Sequence, residues 1–340
     1  MRSEEKPRAT EVLVTGGGGF LGGAIVRQLA AAGYRVRSLS RRRYPSLEAP
    51  GVTQIRADVR DAAAVEEACR GVAVVFHTAA RAGVWGDYRS YFGINVEGTR
   101  NVLAACRRQG VRALVHTSSP SVVFDGRDIE GGDERLPYTR RFLSAYQQTK
   151  TIAEQEVRAA AGDLPLVALR PHLIWGPGDN HLVPRIVQRA DRLVRVGDGR
   201  NRVDTTWIED AARAHLLAMR ALLTRPELSG RVYFISQGQP LPLWEMIDRI
   251  LAAAGKGPVR RRMSRRSAWR LGAVLEKVYG GLRLKAEPPM TRFVADELAT
   301  AHWFDISAAR RDLDYEPRTG IDEGLRRLAD WLAQRPRQVY

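Results

Sequence analysis

The chain has little cysteine, little lysine and no long apolar run, and each shortage excludes a class of protein. Its 340 residues include 2 cysteines, Cys69 and Cys106, which are too few for a disulfide framework or a multi-cysteine metal site. No apolar run approaches the roughly 18 residues of a membrane-spanning helix. The opening segment MRSEEKPRAT has no apolar stretch, so we expect no signal peptide. These shortages predict a cytoplasmic protein without a metal centre.

Lysine and arginine together number 54, against 38 aspartates and glutamates, which gives a formal net charge of +16. Only five of these basic residues are lysine, and the arginines occur along the whole chain rather than in one cluster. This distribution indicates a compositional preference for arginine. Since no nucleic-acid-binding module is present either, we predict no nucleic-acid partner.

What the sequence does contain is an alternation of short apolar runs with helix-length segments. The helical segments FLGGAIVRQLAAAG and VEGTRNVLAACRRQG end at Gly33 and Gly110, which suit left-handed helix caps. The apolar runs predict strands at residues 11–16, 34–40, 52–58, 72–80, 111–119 and 165–171. Apolar strands that alternate with helices predict a parallel sheet covered on both faces.

Right-handed crossovers then give an α/β fold with a doubly wound parallel (Rossmann) sheet. After residue 171, loops rich in glycine and proline predict a smaller, mainly C-terminal α/β substrate lobe over the carboxyl ends of the strands. We assign residues 10–172 to a nucleotide-binding Rossmann domain, to which 203–224 return. Residues 173–202 and 225–335 are assigned to the substrate-binding lobe.

The segment VLVTGGGGFLGGAIV places Gly16, Gly19 and Gly22 where a strand turns into a helix. The first glycine permits the tight turn, the second lets the backbone approach a pyrophosphate, and the third lets helix pack on strand. Because the triplet follows a strand and opens a helix, it predicts dinucleotide binding.

The end of the second strand, SLSRRR, favours NADP(H) over NAD(H). An NAD site usually has Asp or Glu here, whereas this chain has Ser40 followed by Arg41 and Arg42, which can donate to a 2′-phosphate. We expect Arg41 to reach that phosphate and Arg42 to point elsewhere. Asp58, at the end of the third strand, is placed either to accept from the adenine amino group or to cap its own loop.

Tyr146 and Lys150 are four residues apart in SAYQQTKTIAEQE, which reads as a helix. Residues at this spacing lie on one helical face, so an ammonium would stand beside a phenol and lower its pKa. A tyrosine tuned in this way can act as a general acid or base.

These segments resemble, in order and spacing, the extended short-chain dehydrogenase/reductases. The resemblance is carried by TGGGGFLG (15–22), FHTAA (76–80), INVEGT (94–99), TSS (117–119), YQQTK (146–150), LRPHLIWGPGD (169–179) and VDTTWIED (203–210). It implies that Tyr146 is the catalytic acid/base, that Lys150 holds the nicotinamide ribose, and that Ser119 rather than Ser118 bonds the reacting carbonyl. The cofactor-binding positions it implies are Gly16, Gly19, Phe20, Leu21, Gly22, Ser40, Arg41, Asp58, Val59, Thr78, Ala79, Ala80, Lys150, Pro171 and His172.

The substrate is indicated by a departure from part of this family. Sugar-nucleotide enzymes of the family carry an asparagine where this chain has Leu173, which argues against a nucleotide sugar. LRPHLIWGPGD, EPPMTRF (287–293) and HWFDISAARRDLDYEP (302–317) resemble the 3β-hydroxysteroid dehydrogenase-like branch instead.

RAGVWGDY (81–88), LVPR (182–185) and VDTTWI further resemble bacterial enzymes of head-to-head olefin biosynthesis that reduce 2-alkyl-3-oxoalkanoic acids. A long-chain apolar β-keto acid is therefore the expected substrate, with Ser118, Trp85 and Leu173 as candidate contacts. The alternatives are a 3β-hydroxysteroid or sterol dehydrogenase and a non-catalytic NADP-sensing regulator. The intact trio of Ser119, Tyr146 and Lys150 speaks against the regulator.

The segment 260–285 has apolar residues at helical spacing flanked by arginines. Such a helix either lies on an anionic membrane, contacts an enzyme assembly, or packs as a lobe helix beside the substrate channel. We favour the packed helix and expect it to border the channel. We also expect a homodimer.

Overall fold

The computed structural model describes residues 10–334, in which short parallel strands and helices alternate through the first half of the chain. The strands are β1 (Glu11–Thr15), β2 (Arg35–Ser40), β3 (Val52–Arg56), β4 (Val74–His77), β5 (Ala113–Thr117), β6 (Ile129–Gly132), β7 (Leu166–Pro171), β8 (Ile174–Trp175), β9 (Val194–Val196), β10 (Arg202–Val203), β11 (Thr206–Trp207), β12 (Val232–Ile235), β13 (Leu241–Pro242), β14 (Arg261–Met263) and β15 (His302–Phe304).

The helices surround these strands. They are α1 (Phe20–Ala31), α2 (Ala62–Cys69), α3 (Tyr88–Phe92), α4 (Gly98–Arg108), α5 (Ala145–Ala159), α6 (Leu182–Gln188), α7 (Ile208–Thr224), α8 (Leu243–Ala253), α9 (Arg265–Gly281), α10 (Arg292–Ala299), α11 (Ser307–Leu313) and α12 (Ile321–Ala333). A π-helical turn, Gly93–Glu97, joins α3 to α4. Within residues 10–334, no helix has both the length and the apolar character that crossing a bilayer requires.

Seven parallel strands form the main sheet in the order β12-β7-β5-β4-β1-β2-β3. Every residue of β4, β7 and β12 is buried, because helices cover both faces. One core lies under α1 and α7, and the other lies under α2, α4 and α5. The predicted doubly wound sheet is confirmed, and Gly33 (φ 83°) and Gly110 (φ 64°) have the left-handed backbone expected of them.

Two segments cross the predicted division of the chain. We assigned residues 225–335 to the substrate lobe, yet β12 pairs with β7 at the edge of the main sheet. Conversely, β6 lies in the range assigned to the Rossmann domain and pairs with β15 in the four-stranded sheet β13-β10-β15-β6. Sequence position misled here because β12 and β6 each pair with a strand far along the chain. Residue 335, the predicted end of the lobe, lies outside the described residues.

Candidate active site

The glycine-rich loop is built so that its backbone fills the space between β1 and the turn after β4. Gly16 has a φ of 72°, and a Cβ atom there would lie 2.8 Å from the Cα of Ala79. A Cβ atom on Gly22 would run into the carbonyl oxygen of Gly16. Thr78 donates its hydroxyl to the carbonyl of Thr15 at 2.7 Å, which fixes the facing turn. The loop therefore leaves backbone amides and the start of α1 exposed to a ligand, as a pyrophosphate requires.

Ser40 ties the end of β2 to this loop. Its Oγ accepts a hydrogen bond from the Gly18 amide at 2.8 Å, and its own proton is free to be donated elsewhere. The ring of Tyr44 covers Gly18 and leaves no room for a Cβ there. The guanidinium of Arg42 lies over that ring, 5.0 Å from its centroid. Arg42 thus contacts Tyr44, and whether it or Arg41 reaches a 2′-phosphate stays a prediction.

Asp58 follows β3, and its carboxylate already has a partner in the same loop. Its carboxylate forms an ion pair with Arg60 at 2.8 Å and accepts from the Arg60 backbone amide at 3.0 Å. The hydrogen bond from Arg60 lowers the pKa of Asp58, and the charge of Arg41 lowers it further. The loop cap expected of Asp58 is therefore present, and its contact with an adenine amino group stays a prediction. Val59 is buried and packs against Gly98 at the start of α4.

The three candidate catalytic side chains come from two elements. Ser119 lies two residues beyond β5, where its hydroxyl donates to the Ser121 hydroxyl at 2.9 Å, and it lines both cavities together with the Tyr146 phenol on the first turn of α5. Ser144 caps that helix, because its Oγ accepts from the Gln147 amide at 3.2 Å. Lys150, one turn further, donates from Nζ to the carbonyl of Thr117 at 2.7 Å. The two hydroxyls therefore line the same cavities, while the ammonium points to the end of β5.

The pKa of Tyr146 differs from the expectation. Burial raises the pKa of Tyr146, and the hydrogen bond with Ser119 only partly offsets it. Burial also lowers the pKa of Lys150 to about 8, against the charge of Glu154, which raises it. The expected lowering of the tyrosine pKa by Lys150 is thus absent among the described groups. The phenol is held in its protonated form, ready to donate a proton rather than to accept one.

A buried ion pair lies directly beneath Lys150. Glu154, a further turn along α5, is paired with Arg170 of β7 through Arg170 Nε at 3.0 Å, and neither side chain reaches solvent. Tyr138 donates its hydroxyl to the same carboxylate at 2.8 Å. Sequence reasoning missed Glu154, although its spacing from Tyr146 and Lys150 places all three on one helical face.

Two cavities meet at Ser119 and Tyr146. The first, of about 340 Å³, runs from the glycine loop past Thr78, Ala80, Ser118 and Lys150 to Pro171. The second, of about 250 Å³, extends from the same two hydroxyls toward the lobe. A carbonyl group at their junction would have the glycine-loop cavity on one side and the lobe cavity on the other.

The remaining predicted contacts are divided between these cavities. His172, predicted on the cofactor side, lines the lobe cavity instead, where its Nδ1 bonds the Asp204 carbonyl at 2.6 Å and its Nε2 lies 3.0 Å from Nδ1 of His302. Leu173 lines both cavities with a φ of 44°, a left-handed backbone that a leucine adopts only under constraint. Trp85 lines neither, because its Nε1 donates to the Leu284 carbonyl at 3.2 Å.

The lobe cavity also contains residues that sequence reasoning did not select. Arg185 comes from α6, Phe293 and Glu297 from α10, and His302 from β15. Arg185 ends the quoted segment LVPR, but nothing local marks it out among the many arginines. Helix α9 does not line the cavity in the described part of the chain, so the expectation that 260–285 borders the channel is not met.

The residues present fit a nicotinamide dinucleotide. The glycine loop offers amides where side chains would obstruct, and the cavity beyond it ends at Lys150 and Tyr146. The model of the 3-beta hydroxysteroid dehydrogenase/isomerase family matches residues 13–263.

Two relatives carry the name 2-alkyl-3-oxoalkanoate reductase. That of Stenotrophomonas maltophilia is 50% identical over 94% of this chain and 98% of its own length. That of Shewanella oneidensis is 46% identical over 94% of this chain and 86% of its own length. The solved structure of MoeE5 in complex with UDP-glucuronic acid and NAD is similar at a TM-score of 0.73 and 26% identity, covering 95% of this chain and 99% of the other.

Proposed function

Because the chain belongs to the 3-beta hydroxysteroid dehydrogenase/isomerase family, we propose that it reduces a 2-alkyl-3-oxoalkanoic acid to the 2-alkyl-3-hydroxyalkanoic acid with NADPH. The observation that carries the substrate is the 50% identity, over nearly the whole chain, to a reductase of that name. The two hydroxyls at the cavity junction supply what ketone reduction needs from the protein.

When bound, a reduced nicotinamide supplies the hydride that reaches the carbonyl carbon. Negative charge then develops on the carbonyl oxygen, which Ser119 stabilises with a hydrogen bond. Tyr146 gives its proton to that oxygen, in keeping with the raised pKa that holds the phenol protonated. Lys150, which lines the glycine-loop cavity, would hold the nicotinamide ribose.

We propose that the cofactor is NADP(H), because of the residues at and after the end of β2, which are Ser40, Arg41 and Arg42. The end of β2 carries no acid to repel a 2′-phosphate, and Ser40 keeps a proton to donate. Arg41 and the Tyr44-bound Arg42 supply positive charge on the same side. Guanidinium groups bind phosphate oxygens through charge-assisted hydrogen bonds.

The purified protein with NADPH and a 2-alkyl-3-oxoalkanoate, followed at the nicotinamide absorbance and by mass spectrometry of the product, tests the function. We expect formation of the hydroxy acid. Turnover of a 3β-hydroxysteroid with NADP⁺ but not of the keto acid would establish the steroid alternative, and cofactor binding without turnover of either would establish the regulator.

We further propose that α9 lies on an anionic membrane surface. It packs on α10 through Ala268 and Gly272 and leaves apolar side chains in solvent, at exposures from 40% for Leu271 to 58% for Val274. Arginines flank this face, a combination typical of interfacial helices. Flotation with anionic liposomes at low salt tests it, with neutral liposomes as the control. Protein that stays at the bottom, or that sediments as the expected homodimer through this face, contradicts it.

A further inference from the structure

The cavity beside Tyr146 has a guanidinium in its wall. Arg185 is the only arginine or lysine among the described residues that line this cavity. Asp179 anchors the start of its helix α6, since its carboxylate accepts from the amides of His181 at 2.7 Å and Val183 at 2.8 Å. Burial lowers the pKa of Arg185, but an arginine stays charged at neutral pH. The cavity that Ser119 and Tyr146 line therefore also has a fixed positive charge in its wall.

The charges around Arg185 do not cancel. Glu287 forms an ion pair with Arg185, and Arg189 Nη2 lies 3.7 Å from the same carboxylate oxygen. Burial raises the pKa of Glu297 to about 7, so this neighbour carries only part of a charge near neutrality. Two guanidinium groups thus face one full and one partly charged carboxylate, which leaves a fraction of a positive charge in excess near neutrality. An anionic group on the substrate would balance it.

We propose that Arg185 binds the substrate carboxylate and thereby keeps the β-keto acid from losing CO₂ before its ketone is reduced. This inference rests on the proposed function and names the residue that selects an acid over a plain ketone. The carboxylate lies one carbon away from the ketone in such a substrate, so both groups must be held at once, one by Arg185 and the other by Ser119 and Tyr146.

The chemistry explains why a cation is needed there. In decarboxylation the bond to the carboxyl carbon breaks, its electron pair forms the enol, the ketone oxygen gains a proton and CO₂ leaves. The protonated acid supplies that proton internally. Ion pairing with a guanidinium lowers the pKa of the carboxyl and so removes the proton, and it also stabilises the anion relative to neutral CO₂. The donors on the ketone, which would otherwise favour the enol, are then left to assist hydride addition alone.

The test compares Arg185→Gln and Arg185→Lys with Arg192→Gln, an exposed arginine of the same stretch of chain that lines neither cavity and takes no part in the Glu287 ion pairs. Each enzyme is assayed with a 2-alkyl-3-oxoalkanoate and with the corresponding ketone that lacks the carboxyl group. The ratio of the two kcat/KM values, and the amount of ketone found beside the hydroxy acid, are measured.

For Arg185→Gln we expect the acid-to-ketone ratio to fall by about 10- to 100-fold, mainly through KM, with more ketone among the products. The lysine variant should recover part of the ratio, and Arg192→Gln should keep the wild-type value. A wild-type ratio in both Arg185 variants would overturn the inference while leaving the reductase function intact. Should Arg185→Gln fail to fold, Arg185→Lys alone tests the proposal. A lysine cannot form the two parallel hydrogen bonds that a guanidinium forms with a carboxylate, so a wild-type acid-to-ketone ratio in that variant would contradict the proposal. Wild-type enzyme that does not reduce the acid would instead overturn the proposed function.

Discussion

The Tyr146 phenol and the Lys150 ammonium lie one turn apart on α5, yet they contact different partners. The Ser119 hydroxyl lies close enough to Tyr146 to lower the pKa of the phenol, whereas Lys150 Nζ donates to the Thr117 carbonyl at 2.7 Å. The partners of the two side chains, Thr117 and Ser119, lie two residues apart at the end of β5 and just beyond it. Residues of β5 and α5 together, rather than the helix alone, determine how the candidate acid is presented.

Replacing Tyr146 with phenylalanine removes only the hydroxyl. We expect turnover to drop by about 10²-fold or more, because the proton donor is lost, while the fold and the cofactor affinity persist. Steady-state kinetics and a cofactor titration by fluorescence measure these separately. Tyr279→Phe, on the edge of Trp85 and outside both cavities, is the matched control and should keep the wild-type kcat. Normal kcat in Tyr146→Phe would remove it from the mechanism.

Lys150 should give the stability of the cofactor-free protein a distinctive pH dependence. Burial lowers its pKa from 10.5 to about 8, so the folded state releases a proton that the unfolded state still holds between these values. The unfolded state then binds more protons, and the free energy of unfolding rises with pH in this window by about 3 kcal/mol in total. Denaturant unfolding at a series of pH values, compared with Lys150→Met, measures it. The same rise in the variant would contradict the assignment.

The Lys150→Met variant should also lose both turnover and cofactor affinity, since the ammonium is proposed to hold the ribose and thereby the nicotinamide in place. A loss of turnover alone, with unchanged cofactor affinity, would contradict the ribose contact.

Cofactor choice should depend on Ser40, Arg41 and Arg42. One or two charge-assisted hydrogen bonds to the 2′-phosphate favour NADPH over NADH by roughly ten- to several-hundred-fold in kcat/KM at low salt. Ser40→Asp with Arg41→Ala should abolish or reverse this preference, because the new carboxylate repels the phosphate. Arg42→Ala should weaken the preference for NADPH, because Arg42 lies over Tyr44, the residue that covers Gly18 of the glycine loop. Added salt should reduce the wild-type preference. Equal use of NADH and NADPH by the wild type at low salt would refute this interpretation.

The buried pair of Glu154 and Arg170 should dominate the stability of α5 against the sheet. Glu154→Gln removes the charge partner of a fully buried guanidinium, so we expect a loss of about 3–5 kcal/mol in the free energy of unfolding. Urea unfolding followed by circular dichroism measures this. Glu156→Gln, which breaks the more exposed pair with Arg100, is the control, with an expected change below about 1 kcal/mol. Similar losses for both variants would argue against this account.

Acid binding should weaken as pH rises through about 7. Glu297, whose pKa burial raises to about 7, becomes negative across this range and competes for the charge of Arg185. Tyr146 and His302 face the same cavity, but the pKa of one is raised and that of the other lowered, so neither gains charge there. The KM for the keto acid should therefore increase with pH, and Glu297→Gln should flatten the profile. An unchanged slope in that variant would assign the titration elsewhere.

Much of the fold could be predicted because its determinants are local. The first six strands of the main sheet were located from apolar runs, since residues buried on both faces of a sheet must be apolar whatever they pack against. The seventh, Val232–Ile235, carries a similar run, VYFI, but it follows the loop-rich region where strands were no longer expected. Its place beside β7 depends on α7 crossing the sheet, which no short window of sequence contains.

The sequence by itself determined the glycine turn, the spacing of Tyr146 and Lys150, and the neutral end of β2, because each is a matter of steric allowance, helical period or charge within a few residues. Only the tertiary structure decided the substrate side of the site. Arg185, Glu297 and His302 come from three elements spread over more than a hundred residues of the chain, and they meet because the lobe folds back over the carboxyl ends of the strands. Arginine is so frequent in this chain that composition could not single out Arg185; its position in the wall of the cavity that Tyr146 also lines does.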